Sequence, residues 1–118
     1  MQSTQLKSRP TDRPETVGPE RLAVAPLVDV YENADEILLF ADVPGAAEDG
    51  VDIHLEKSEL RLVARRTDAT DLEYRRAFVL PAAVDPDRVA AELRDGVLSV
   101  HLPKRESAKP RTIAVRAG

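Results

Sequence analysis

Six residues, Val51 to Glu56, do most to limit what this chain can become. In VDIHLE, apolar and polar side chains alternate without a break, with Val51, Ile53 and Leu55 on one side and Asp52, His54 and Glu56 on the other. A period of two belongs to an extended strand with one face covered and the other in water. The pattern returns in LRLVARR, where Leu60, Leu62 and Ala64 point inward and Arg61 and Arg65 outward. It returns again through Leu72, Tyr74, Phe78 and Leu80, with Arg76 intruding on the apolar face, until Pro81 ends the ladder.

Around these three strands the chain is punctuated at strand-length intervals. LVDVY, residues 27–31, reads as a strand, Asn33 to Glu36 as a turn, and ILLFADV, residues 37–43, as a strand stopped by Pro44 and Gly45. The near-continuous apolarity of 37–43 predicts burial on both of its faces. Turns are expected at Lys57–Glu59 and Thr67–Asp71, and AVDPDRV has room for one helical turn at most. Two more strands, Val89–Leu93 and Val97–Leu102, hinge at Asp95 and Gly96, where glycine reaches a left-handed conformation most easily, and Pro103 closes the series. Short strands at this spacing predict an all-β sandwich or barrel.

The flanks differ in texture. Residues 1–25 carry Pro10, Pro14 and Pro19 among scattered charges, with no apolar periodicity, and read as a disordered arm. Residues 26–103 form the β domain. Residues 104–118 form a charged, flexible tail broken by one apolar pair, Ile113 and Val115.

The 118 residues amount to one domain, and a domain this small hides only about two-thirds of its unfolded surface. With no cysteine, disulfides, thiolate metal sites and thiol nucleophiles drop out together. A formal charge of −4 offers no general attraction for nucleic acid or anionic membranes. No apolar run suits a signal peptide or a membrane span, which predicts a cytoplasmic protein.

Catalytic chemistry finds no constellation. The two histidines, His54 and His101, lie on polar or mixed strand faces with nothing to pair them, and read as solvated surface residues. Phosphate-binding glycine loops, zinc-protease and nucleophile-elbow patterns do not occur. The chain reads as a binder, without enzyme activity or cofactor. Its most suggestive feature is the tail: Ile113-Ala114-Val115, extended, places two β-branched side chains on one side. Such a hook is useful if a groove on its own or a neighbouring subunit receives it. Otherwise it is a frayed last strand folded back on its own sheet.

Taken together these residues resemble the small heat shock proteins. The run VAAELRDGVLSVHLP, with Ala91, Gly96, Val97 and Leu98, is similar to that family's signature segment. PLVDVYENADEILLFADVPG resembles its opening strands and Pro-Gly turn, RRAFVLPAAVDPDRV its Phe-x-Leu-Pro strand end, and Ile113-Ala114-Val115 its Ile-x-Ile or Ile-x-Val anchor. The resemblance covers about residues 26–115. It implies an immunoglobulin-like antiparallel β-sandwich, the α-crystallin domain, acting as an ATP-independent holdase that binds unfolding client proteins. It also implies that the anchor enters a groove between strands 51–56 and 89–93, lined by Ile53, Leu55, Ala91 and Leu93. Burying Ile113 and Val115 there would yield ~3 to 5 kcal/mol before ordering costs, which makes weak, reversible assembly. Arg76 matches an arginine that in the family commonly joins ionic contacts between subunits, though an exposed strand arginine remains an open reading. A different class stays open too: a co-chaperone-like sandwich of the CS type, or a structural stress protein with one defined partner.

Two departures from the family pattern bear on assembly. Bacterial and plant members usually dimerise by exchanging a strand carried on a long loop, whereas here TDATD, residues 67–71, spans at most ~18 Å and cannot send a strand into a neighbour. Dimerisation is then expected by pairing of sheet edges or another route. Family members also keep aromatic client-binding residues in the arm, but Tyr31, Phe40, Tyr74 and Phe78 all fall inside the domain. A dimer or small oligomer is expected rather than a large one.

Overall fold

The alternation of residues 51–80 becomes three consecutive antiparallel strands. The computed structural model describes residues 7–8, 22–68 and 71–118. In chain order the strands are β1 (Lys7–Ser8), β2 (Leu22–Val24), β3 (Val28–Glu32), β4 (Glu36–Asp42), β5 (Ala46–Glu56), β6 (Glu59–Arg66), β7 (Leu72–Val79), β8 (Ala90–Arg94) and β9 (Val97–Pro103). One sheet runs β1-β7-β6-β5 with β2 also on β7, and the other runs β3-β4-β9-β8. The all-β sandwich is thus as expected, and AVDPDRV holds a single 3-10 turn, Pro86–Arg88, capped by the Asp85 carboxylate accepting from the Asp87 N–H at 3.0 Å.

The core lies between the inner faces. Ile37, Leu39, Ala41 and Val43 meet Leu60, Leu62, Ala64, Tyr74 and Phe78 across the gap, with Leu98, Val100 and Leu102 from β9. Burial on both faces of residues 37–43 does not occur. Burial alternates strictly along β4, leaving Leu38 and Phe40 half-buried on the outer face, where Phe40 meets Tyr31 edge-on at 5.8 Å. A sandwich has two layers, and among the described residues nothing forms a third over β4.

Turn chemistry fixes the register. Asp95 and Gly96 both have positive φ, 51° and 76°, the paired left-handed geometry of a two-residue hairpin between β8 and β9. Gly45, at φ 85°, follows Pro44 in a turn closed by Ala46 N–H donating to the Val43 carbonyl at 3.1 Å.

Three local features differ from expectation. β5 begins at Ala46, five residues early, because Ala46 pairs with Arg66 beyond a register shift in which residues 47–50 bulge out of step with β6. The arm expected to be disordered over 1–25 lies largely outside the described residues, and within it two short segments, Lys7–Ser8 and Leu22–Val24, pair with β7. β2 runs parallel to β7 (Leu22 opposite Leu72), and β1 runs antiparallel to it (Lys7 opposite Val79). Finally, the tail is tied down at its start. Lys104 N–H donates to Asp35, Arg105 N–H to Ala83, and Lys109 Nζ to Glu106 at 3.0 Å. From Arg111 to Gly118 every residue is exposed.

Candidate functional site

β5 ends one sheet and β8 ends the other, and no hydrogen-bonded ladder joins them. The two edges therefore stand apart and leave a groove of about 420 Å³. Its walls are Val51 and Ile53 from β5 and Ala91 and Leu93 from β8, and its floor is Leu98 of β9. Period two explains the pairing of wall residues: Val51 and Ile53 share one face of β5, and Ala91 and Leu93 share one face of β8. Val51, Ile53 and Leu93 also pack against the core, so the groove is a continuation of the interior opened to solvent. Ala91 keeps that wall low.

The groove is apolar inside and acidic at its mouth, where Glu48 and Glu92 stand exposed. The tail carries the opposite charge: Arg111 and Arg116 flank Ile113 and Val115. Both hook residues are out in solvent, 73% and 94% exposed, with no groove occupied by them.

Of the groove residues nominated from sequence, Ile53, Ala91 and Leu93 come together. Leu55 lies on the same face of β5 and packs against the core, but it is outside the cavity lining. Glu48, Val51, Glu92 and Leu98 complete the site. Val51 was legible from the alternation, whereas Glu48 lies within the irregularity in β5 and carried no pattern. The signature turn divides between two places. Leu98 floors the groove, while Gly96 and Val97 line a second cavity of about 470 Å³ at one end of the sandwich with Leu27, Pro44 and Tyr74. There the Tyr74 hydroxyl donates to the Pro44 carbonyl at 2.8 Å, and a Cβ on Gly96 would stand 3.3 Å from Pro44 Cα.

Arg76 is half-buried rather than exposed. Its Nη1 donates to the Pro26 carbonyl at 3.2 Å, and its guanidinium carbon sits 5.2 Å from the centre of the Phe78 ring. Because β5 and β8 share one flank of the sandwich, β7 and β3 share the other, and Arg76 spans that second flank. His54 is exposed on β5, and His101 Nδ1 lies 3.4 Å from Glu36 Oε1. Among the described residues no group of three His, Cys, Asp or Glu could hold a metal ion. The perturbed ionisations are at the surface. Arg66, hydrogen-bonded to Asp68 at 2.7 Å, holds that carboxyl below the usual carboxylate range, and Lys109 does the same for Glu106. These ion pairs lie outside the groove, whose inner side chains are apolar.

The sequence profile of the Hsp20/alpha crystallin family matches residues 29–116. The chain belongs to this family. Its members are the small heat shock proteins, chaperones that hold unfolding proteins without ATP and without catalysing a reaction. The "Probable 15 kDa heat shock protein" of Leptospira interrogans is 37% identical over 100 residues, covering 74% of this chain and 76% of that one. The "18 kDa antigen 1" of Mycobacterium intracellulare is 34% identical over 83% of this chain and 72% of its own. Among solved structures, a small heat shock protein from Xylella fastidiosa superposes with a TM-score of 0.64 at 28% identity, covering 80% of this chain and 98% of that one. Heat shock protein 16.0 of Schizosaccharomyces pombe gives 0.62 at 25% identity over 83% and 78%. No helix among the described residues is long and apolar enough to cross a membrane.

Proposed function

We propose that the groove between β5 and β8 is the working site of this holdase, and that the hook of one copy and the apolar segments of unfolding proteins compete for it. The observation that carries the reading is the pairing of an open slot walled by apolar side chains with a tail whose Ile113 and Val115 are exposed. Burial of the two side chains contributes ~3 to 5 kcal/mol before ordering costs, so docking is reversible. Heat then releases tails and frees grooves. The working division is an arm over 1–25, with β2 attached to the sandwich, a domain over 26–103 and a tail over 104–118. A cytoplasmic site of action fits a cysteine-free chaperone.

Geometry favours docking into a second copy. Lys109 lies 4.0 Å from Asp35 in the turn between β3 and β4, which fixes where the free tail starts. Four residues from Lys109 to Ile113 span about 14 Å at most. From that turn the groove is two strands across and three to five residues along the sheet, about 14 to 20 Å away, at the limit of that span or beyond it. Arg76 is retained as an interface candidate on the opposite flank.

The test is aggregation of heated citrate synthase followed by light scattering. Wild type keeps the client soluble and Leu93→Asp, which charges the groove wall, loses most of that protection. A client that precipitates as fast with wild type as alone overturns the holdase reading and favours a module with one defined partner. Protection unchanged by Leu93→Asp removes the groove from it.

A further inference from the structure

The sandwich has four outer strand edges, and three are occupied or shaped. β5 and β8 face each other across the groove, and β7 carries β1 and β2 on its outer side. The fourth, β3, has no described strand beyond it. It runs five residues in unbroken register with β4, without proline, lysine or bulge, and of its two charges Glu32 is matched by Lys104 at 2.9 Å while Asp29 stands on the outer face.

The hydrogen bonds at its two ends fix which groups are free. Asp42 N–H donates to the Leu27 carbonyl and Asn33 N–H to the Glu36 carbonyl. Bonded and non-bonded pairs alternate along an antiparallel ladder, so Leu27, Asp29, Tyr31 and Asn33 face β4 with their backbone. Val28, Val30 and Glu32 turn theirs outward, presenting an N–H and a carbonyl each.

Three evenly spaced residues are self-complementary. The geometry points to β3 as the contact between two copies of this chain, paired antiparallel about a two-fold axis at Val30. In that register Val28 faces Glu32 of the second copy and Val30 faces Val30, so all three outward residues of each strand are satisfied by six hydrogen bonds. A shift centred on residue 29 or 31 leaves only two bonded pairs. Centring on 29 also sets Asp29 against Asp29, a repulsive pair, whereas the Val30 axis sets each Asp29 against Tyr31 of the other copy. Tyr31, already edge-on to Phe40, gains cover there. The five residues 67–71 are too short to bring a strand across instead. This contact is separate from the groove, so paired copies keep both grooves free for tails or clients.

The absence of cysteine makes the register directly readable. Asp29 and Tyr31 of the second copy would be a non-bonded pair with Cα atoms about 4.5 Å apart, within disulfide range. Full-length Asp29→Cys/Tyr31→Cys should become mainly covalent dimer on mild oxidation, while each single variant should not. No covalent dimer from the double variant overturns the inference. So does a dimer from either single variant, which would report a shifted register. Val30→Pro removes the outward N–H at the axis while sparing the ladder with β4. Once its circular dichroism matches wild type, it should halve the mass of the smallest stable species, and an unchanged mass overturns the proposal. The double cysteine variant carrying Ile113→Ser and Val115→Ser separates the two sites. Persistence of the cross-link supports an independent β3 contact, and its loss overturns that contact while leaving the groove reading intact.

Discussion

Lys104 closes on Glu32 at 2.9 Å, the two side chains only 14% and 15% exposed, and its Nζ also donates to the Asn33 carbonyl at 2.7 Å. The residue that leaves β9 for the tail is thereby locked to the end of β3. Removing one member of a shielded pair strands the other charge. Lys104→Met should cost about 2 kcal/mol in urea unfolding, and Glu32→Gln in the same chain should recover part of it.

The strict alternation of burial along β4 separates neighbours that look equivalent in sequence. Leu39 is fully buried and Leu38 is half-buried on the outer face. Leu39→Ala should lose about 2–5 kcal/mol of stability and Leu38→Ala about 1 or less, measured by thermal or denaturant unfolding.

Two carboxyls should titrate low. Asp68 is held down by the hydrogen bond from Arg66 and Glu106 by the hydrogen bond from Lys109. A folded-state pKa below the unfolded one contributes stability above the unfolded value and loses it as pH falls through the folded one. Carboxyl NMR titration should show both midpoints below those of model carboxylates. Because both groups are exposed, the fold itself should change little over that acid window.

The hook is tested by charge-free deletion of its grease. Ile113→Ser with Val115→Ser should lower the assembly mass measured by light scattering across concentration, with the sandwich melting as before. An unchanged mass would take the hook out of assembly.

Much of this was legible because one face of each sheet is buried, which imprints period two on Val51 to Leu80 and on Val97 to Leu102. Pro44-Gly45 and Asp95-Gly96 were legible because left-handed turns demand such residues. Other features left no local trace. β2 is three residues long, too short for a period, and its partner is some fifty residues away in β7. The pinning of Lys104 to Glu32 likewise joins residues 72 positions apart. The apolarity of residues 37–43 misled because it could not reveal how many layers would cover β4. Of the groove, the walls could be read strand by strand, but Leu98 on the floor and Glu48 at the mouth became neighbours only through the stacking of two sheets.

On the proposed reading of the groove, the carboxylates of Glu48 and Glu92 at its mouth would give it a bias among the proteins of a stressed cell. Greasy stretches bordered by lysine or arginine would be drawn in, and those bordered by aspartate or glutamate turned away. Protection would then fall unevenly across a proteome, most generous to its basic members, and added salt would level the difference.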